Sequence, residues 1–297
     1  MTMRLDRWLT LQRARAGRQP DTSSVPVLMY HSISEDPQDG VSAYYRVTTH
    51  PRRFAEQMQW LEELGYRGVS IEEALAALER GIPDGRRLAA ITFDDGFGDF
   101  YSQAWPVLAR YGFTATMYLP TRFIGGPADA RWFQGRSCLT WNEVRELSAQ
   151  GVRFASHTVS HPKLYHLPWS DIEMELRESK DQIEQTLGMV VGGFAYPYAY
   201  PQEDVSFTER FTECLCRSGY AHCVTTVVGR TRVGDDPFRV KRLPVNSDDD
   251  RALFAAKLAG DYDWMGKSQA WVRRIRSRLQ TRPRARQGHY ESISALA

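Results

Sequence analysis

Short apolar runs alternate with longer stretches of helical period along most of this chain. The first run is "VPVLMY", residues 25–30. "FAEQMQWLEEL" then places Phe54, Met58 and Leu61 on one helical face. "SIEEALAALERG" predicts a helix with Ser70 as N-cap, Glu73 completing a capping box, and Gly81 as the stop. "RLAAITF" (87–93) predicts a buried strand, followed by a helical stretch to Tyr111 and the strand "FTATMYLP". Thr140 with Glu143 makes a second capping box and opens "WNEVRELSAQG"; the strand "VRFAS" follows. Ser170 with Glu173 makes a third box ahead of a helix to about Leu187. "VVGGFAY", a helix to about Gly219, the strands "AHCVTTV" and "RVKRLPV", and the helix "RALFAAKLAG" complete the series.

Repeated β–α alternation over more than two hundred residues predicts a parallel sheet flanked by helices, either open or closed into a barrel. Chemistry on such barrels gathers at the C-terminal strand ends. Four strand ends carry polar groups: His31 after the first run, Asp94 and Asp95 after "AAITF", His157 and His161 after "VRFAS", and Pro197-Tyr198 after "GGFAY". An Asp-Asp-Gly sequence by itself reads as a turn, and an isolated HxxxH pair as surface or packing histidines. Taken together, two histidines four residues apart and one carboxylate form a donor set for a metal with open positions. A second, adjacent carboxylate is then available to accept a proton.

Composition limits the alternatives. With 42% hydrophobic and 25% charged residues in 297, wholesale disorder is excluded. The net charge of +2 is unevenly spread: from Lys267 onward eight bases face only Glu291, a net of +7, which leaves −5 on residues 1–266. The first two dozen residues are basic as well. Leu5, Trp8 and Leu9 near the start, and Trp271, Ile275 and Leu279 near the end, fall at helical spacing among arginines. Both stretches read either as solvated tails or as interfacial helices on an anionic membrane surface, with a nucleic-acid role not expected. Cys138, Cys214, Cys216 and Cys223 form no CxxC pair, which argues against a disulfide framework or zinc finger. The N-terminus lacks the apolar stretch of a signal peptide, so the expected location is cytoplasmic, with peripheral contact at the inner membrane.

Three motifs occur in order: Thr92-Phe93-Asp94-Asp95-Gly96, His157-Thr158-Val159-Ser160-His161, and Pro197-Tyr198. In these the chain resembles the NodB-type polysaccharide deacetylases, over roughly residues 25–250. The resemblance implies a distorted (β/α) barrel over 25–260, between a basic N-terminal segment (1–24) and a basic amphipathic tail (261–297). It implies a metal-dependent hydrolase removing N-acetyl groups from an amino-sugar glycan or glycan precursor. Asp94 would be the general base, with Asp95, His157 and His161 holding one divalent ion, zinc by default with cobalt or nickel possible. The backbone N–H of Tyr198 would stabilise the oxyanion. Tyr30, Pro197, Tyr196 and Trp141 would contact substrate. The third motif lacks the arginine that pairs with the base in many members, which leaves Asp94 expected to be without that partner. A downstream Leu-x-His is also missing. His31 on the first strand is the expected acid, an arrangement similar to a circularly shifted subset of the family. The alternatives are an amidohydrolase for a non-sugar amide and an inactive carbohydrate-binding homologue.

Overall fold

The computed structural model describes residues 4–14, 23–82, 87–126 and 131–266. Eight strands carry the architecture: β1 (Val27–Tyr30), β2 (Tyr66–Val69), β3 (Arg87–Phe93), β4 (Thr116–Leu119), β5 (Arg153–Ser156), β6 (Gly193–Ala195), β7 (His222–Val228) and β8 (Val240–Pro244). Seven of them close into a ring in chain order, β1-β3-β4-β5-β6-β7-β8, with β8 returning to β1. Every pair is parallel; β2 pairs with β3 alone. Of the two sheet forms left open by the alternation, the barrel is therefore the one adopted. The closing seam sets Leu243 opposite Leu28 and Pro244 opposite Met29. The barrel is uneven: β5 and β6 share a single registered pair, and the β7–β8 register shifts between Val224 and Val228.

The expected strand "RLAAITF" is found residue for residue, buried at every position but the first, as a strand covered on both faces requires. Helices α1 (Leu5–Arg13), α2 (Pro51–Glu63), α3 (Ile71–Arg80), α4 (Trp105–Arg110), α5 (Trp141–Ala149), α6 (Trp169–Leu187), α7 (Val205–Arg217) and α8 (Arg251–Ala259) surround the strands. Between α2 and the barrel, Tyr30, Phe54, Phe93 and Phe100 form a ring cluster with centroids 4.7–5.9 Å apart. A smaller core of Phe194, Tyr196, Phe207, Phe211 and Tyr220 lies near α6 and α7.

The capping boxes fare differently. The Thr140–Glu143 box is complete, with Glu143 N donating to Thr140 Oγ1 at 3.3 Å and Thr140 N to Glu143 Oε2 at 2.7 Å. Ser70 accepts from Glu73 N at 3.2 Å. The Ser170 box does not form, because α6 already begins at Trp169 with Pro168 in the cap position. Proline's fixed φ starts the helix early and puts Ser170 inside the first turn.

The sequence did not point to β2, and it read the N-terminal segment as a solvated tail or an interfacial helix. Residues 5–13 are indeed helical, but α1 packs on α8. Arg4 reaches Asp249 at 3.0 Å, Arg7 reaches Asp250 at 2.6 Å, and the Tyr262 hydroxyl donates to Asp6 at 2.8 Å. Two arginines assigned to an anionic surface are thus paired with carboxylates of the body, while Leu5 and Trp8 face outward. The Trp271–Ile275–Leu279 stretch lies outside the described residues. No helix among the described residues is long and apolar enough to cross a membrane.

Gly68 in β2 tests the packing of this shell. A Cβ there would meet Ile91 Cδ1 at 2.6 Å and Phe113 Cγ at 2.7 Å. Gly68→Ala is expected to lower the unfolding free energy by about 1–3 kcal/mol, read from urea denaturation.

Candidate active site

The strand tips converge. Asp94 and Asp95 follow β3, His157 follows β5, His31 follows β1, and Tyr196 to Tyr198 follow β6. His31, Asp94, Asp95, His157, His161, Tyr196 and Tyr198 all line one cavity of about 410 Å³. Tyr30 and Trp141 are not among its lining residues. Tyr30 is fully buried and its hydroxyl donates to Gln57 Oε1 at 3.1 Å, so it belongs to the core. Trp141 is the first residue of α5 and packs against the core from outside. Pro197 leads into the turn without lining the cavity itself.

The backbone at this rim is strained. Asp95 (φ 72°), Thr158 (φ 71°), His161 (φ 53°) and Tyr198 (φ 58°) all occupy the left-handed region without being glycine. Such residues persist only where their surroundings hold them. For the His157–His161 loop the holding group is Glu175 of α6. Its carboxylate accepts Val159 N at 2.7 Å, Ser160 N at 2.9 Å and Ser160 Oγ at 2.5 Å. Inside the loop, His161 N donates to Thr158 Oγ1 at 2.9 Å. Gly96 has φ 63°, and a Cβ there would meet Ile124 Cδ1 at 2.8 Å, so the residue after the two aspartates has to be glycine.

The donor atoms of Asp95, His157 and His161 lie within 4.8 Å of one another. Asp95 Oδ1 is 3.6 Å from His157 Nε2 and 3.4 Å from His161 Nε2. His157 Nδ1 is 2.8 Å from the Ala195 carbonyl, which can only accept; the proton is therefore on Nδ1 and the Nε2 lone pair is free. Burial lowers both imidazoles, His161 to about 3 with His157 adding to the effect, so both are neutral. Asp95 Oδ1 is buried with no hydrogen-bond partner, and burial together with the Asp94 charge pushes the carboxyl up to about 8. Two neutral imidazoles and an unsatisfied carboxylate oxygen aimed at one point fit a divalent cation with open positions.

Asp94 does have an arginine, and this corrects the expectation from the third motif. Arg242 of β8 grips it with two bonds, Nη1 to Oδ1 and Nη2 to Oδ2, each 2.7 Å. Arg242 is fully buried; its Nε donates to Thr225 O at 3.0 Å, and its guanidinium lies 5.9 Å from the Tyr118 ring centre. Burial by itself would raise Asp94, but the guanidinium overcomes it and holds the carboxyl well below the usual range. The signal was present in "RVKRLPV": a charge on the same strand face as Val240, on an apolar strand, needs a buried partner. His31 Nε2 lies 3.9 Å from Asp94 Oδ2. Burial pushes this imidazole down to about 4 against the pull of Asp94, so the resting ring is neutral. The sequence reading also missed Glu175 and the segment Tyr44 to Val47, which forms one wall of the cavity.

Arg242→Met would leave Asp94 buried and unpaired. It is expected to cost about 3–5 kcal/mol of stability, measured by denaturant unfolding. Glu175→Gln keeps the size of the clamp but weakens the charged bonds to the loop. A drop of about tenfold or more in zinc affinity is expected in competition with a chromogenic chelator.

Comparisons with known proteins agree with this geometry. The sequence model of the family described as polysaccharide deacetylase matches residues 81–212. YxkH of Bacillus subtilis (strain 168) is 28% identical over 235 residues, 79% of this chain and 76% of YxkH. The poly-β-1,6-N-acetyl-D-glucosamine N-deacetylase of Escherichia coli (strain K12) is 30% identical over 138 residues, 44% of this chain and 20% of that protein. Among solved structures, the Streptococcus pyogenes deacetylase PplD, in complex with acetate, superposes with a TM-score of 0.68 at 26% identity, covering 80% of this chain and 99% of PplD. The motifs stand at the tips of a closed parallel barrel, the family's model matches residues 81–212, and the barrel superposes on that of PplD: the chain is similar to the polysaccharide deacetylases.

Proposed function

We propose that this protein hydrolyses the acetamide of N-acetylated hexosamines in a glycan, releasing acetate and a free amine. The observation that carries the reading is the pairing of two differently tuned carboxylates in one cavity. Asp94 is ionised and locked by Arg242, and Asp95 is unsatisfied and faces two neutral imidazoles. The E. coli relative is named for N-deacetylation of a poly-N-acetylglucosamine, and PplD was solved with acetate, which would be the leaving product.

A divalent ion, zinc by default with cobalt or nickel as alternatives, would be held by Asp95, His157 and His161 and would polarise the carbonyl and acidify water. The rest falls to the chain. Asp94 accepts the proton of the attacking water. Arg242 occupies one lone pair on each Asp94 oxygen and fixes the carboxylate plane, so that the remaining lone pairs face the cavity. The backbone N–H of Tyr198, aimed by Pro197 and the left-handed turn, donates to the carbonyl oxygen as it gains charge. His31, beside Asp94 at 3.9 Å, takes up a proton during turnover and delivers it to the departing nitrogen, which leaves poorly as an amide anion. Tyr196 is a buried wall of the cavity and limits what enters. His31 and Arg242 sit on the neighbouring strands β1 and β8, so both partners of Asp94 come from the barrel seam.

The test is acetate release from N-acetylglucosamine oligomers by protein stripped of metal and reloaded with zinc, cobalt or nickel. Release is expected only after reloading. Asp94→Asn and His31→Ala are each expected to lower kcat by about 10²–10⁴-fold with bound metal unchanged. Metal-loaded protein that releases no acetate from any N-acetylated hexosamine would overturn the proposal.

A further inference from the structure

The cavity wall formed by Tyr44, Tyr45, Arg46 and Val47 has no role in the chemistry above, yet it stands beside the reacting groups. Its regular structure is one short turn, Ala43–Tyr45. Tyr45 is 71% exposed at the cavity mouth, and its ring meets Tyr44 edge-on at 4.9 Å. Exposed rings beside a basic side chain form a surface on which pyranose faces stack while hydroxyls find a donor.

This lip is held largely from behind. Asn246 Nδ2 donates to Ala43 O at 2.7 Å and to Arg46 O at 3.2 Å, and Arg46 pairs with Asp248 at 3.1 Å. The 246–250 loop is in turn anchored on Asp249, which is fully buried between Lys257 at 2.6 Å and Arg4 at 3.0 Å. The next residue, Asp250, caps α8 through Leu253 N and takes Arg7 at 2.6 Å. Arg4 immediately precedes α1 and Arg7 lies within it, and no residue of α1 lines the cavity. One continuous set of contacts therefore runs from the N-terminal helix through Asp249 and Asp250 to Asn246 and Asp248, and on to the lip.

We infer that the Ala43–Val47 lip grips the sugar residues flanking the scissile acetamide, and that α1 is a positioning element for it, setting glycan affinity from outside the site. The inference rests on the deacetylase reading for its ligand class. A helix that only added stability would, when weakened, lower the amount of active enzyme. One that positions the lip changes KM.

Calorimetric titration with an N-acetylglucosamine pentamer tests the lip without turnover. Tyr45→Ala is expected to weaken binding about tenfold, as loss of a stacking anchor does. Equal binding by wild type and Tyr45→Ala would overturn the inference. Arg4→Met/Arg7→Met is expected to raise KM for the pentamer about fivefold or more while kcat stays within about twofold and bound metal is unchanged, with Arg4→Lys/Arg7→Lys recovering most of the loss. Should the methionine variant fail to fold, Arg7→Met alone cuts the exposed Asp250 contact of α1 and is expected to raise KM in the same direction by about twofold, and Asp248→Ala cuts the connection at its last link, on Arg46 of the lip, and is expected to give the full rise. An unchanged KM in whichever of these variants folds would remove α1 from the account. A wild type that binds the pentamer but releases no acetate would sink the deacetylase reading and leave the lip standing.

Discussion

The interaction on which this site depends is the buried ion pair of Arg242 and Asp94. A guanidinium with no solvent contact is tolerable only if its charge is matched and its donors are used. Asp94 matches the charge and takes two bonds, the Thr225 carbonyl takes a third, and Thr92 Oγ1 a longer fourth at 3.4 Å. The pair joins β8 to the tip of β3 and, through Thr225, to β7. It lies beside the β7–β8 register shift, where four residues of β7 run opposite two of β8. Asp95 follows Asp94 directly, so fixing one carboxylate fixes the backbone from which the other projects. The same pair gives the two adjacent acids opposite characters, one firmly ionised and one pushed up to about 8.

Much of this was readable in the sequence, and what was not has identifiable causes. The strand over 87–93 was legible because a buried parallel strand is a continuous apolar run bounded by polar residues. The donor set Asp95, His157 and His161 was legible because each lies just past such a run. Arg242 was missed because its place on an apolar strand signals that a buried partner is needed but not which one, 148 positions away; only closure of the barrel brings the two together. Tyr30 and Trp141 were assigned to substrate for being aromatic near a motif, but alternation along β1 sends Tyr30 into the core while the next residue, His31, reaches the cavity. Glu175 looked like any acid on a helix surface, and its function depends on which loop folds over it. The arginines of residues 4–7 looked like a tail because charge counting ignores the carboxylates of a distant helix.

The rim shows how the strain of a functional site is supported. Asp95, Thr158, His161 and Tyr198 are held in conformations that cost free energy for residues with a side chain. Left to local preference, none would settle there. Three arrangements compensate: Arg242 behind the aspartates, Glu175 beneath the histidine loop, and Thr226, whose hydroxyl donates to Tyr198 O at 3.0 Å. Each comes from an element other than the one it restrains. The reacting groups are therefore only as well placed as the packing of the barrel as a whole, and the fold rather than the motifs supplies their precision.

The order of parts along the chain has a further consequence. Residues 81–212, the span matched by the family's sequence model, contain Asp94, Asp95, His157, His161 and Tyr198 but neither His31 nor Arg242. Those two come from the first and last strands of the ring, which meet only because Leu28 pairs with Leu243 and Met29 with Pro244. The middle of the chain thus carries the proposed metal donors and oxyanion turn, and the closing seam carries Arg242 and His31, which flank Asp94. The loops beyond the seam, 43–47 and 246–250, contact one another for the same reason and form the wall on which a glycan would rest. Barrel closure is therefore a chemical event as well as a topological one. It pairs Asp94 with Arg242, brings His31 beside it, and shapes the mouth of the cavity, all at one junction.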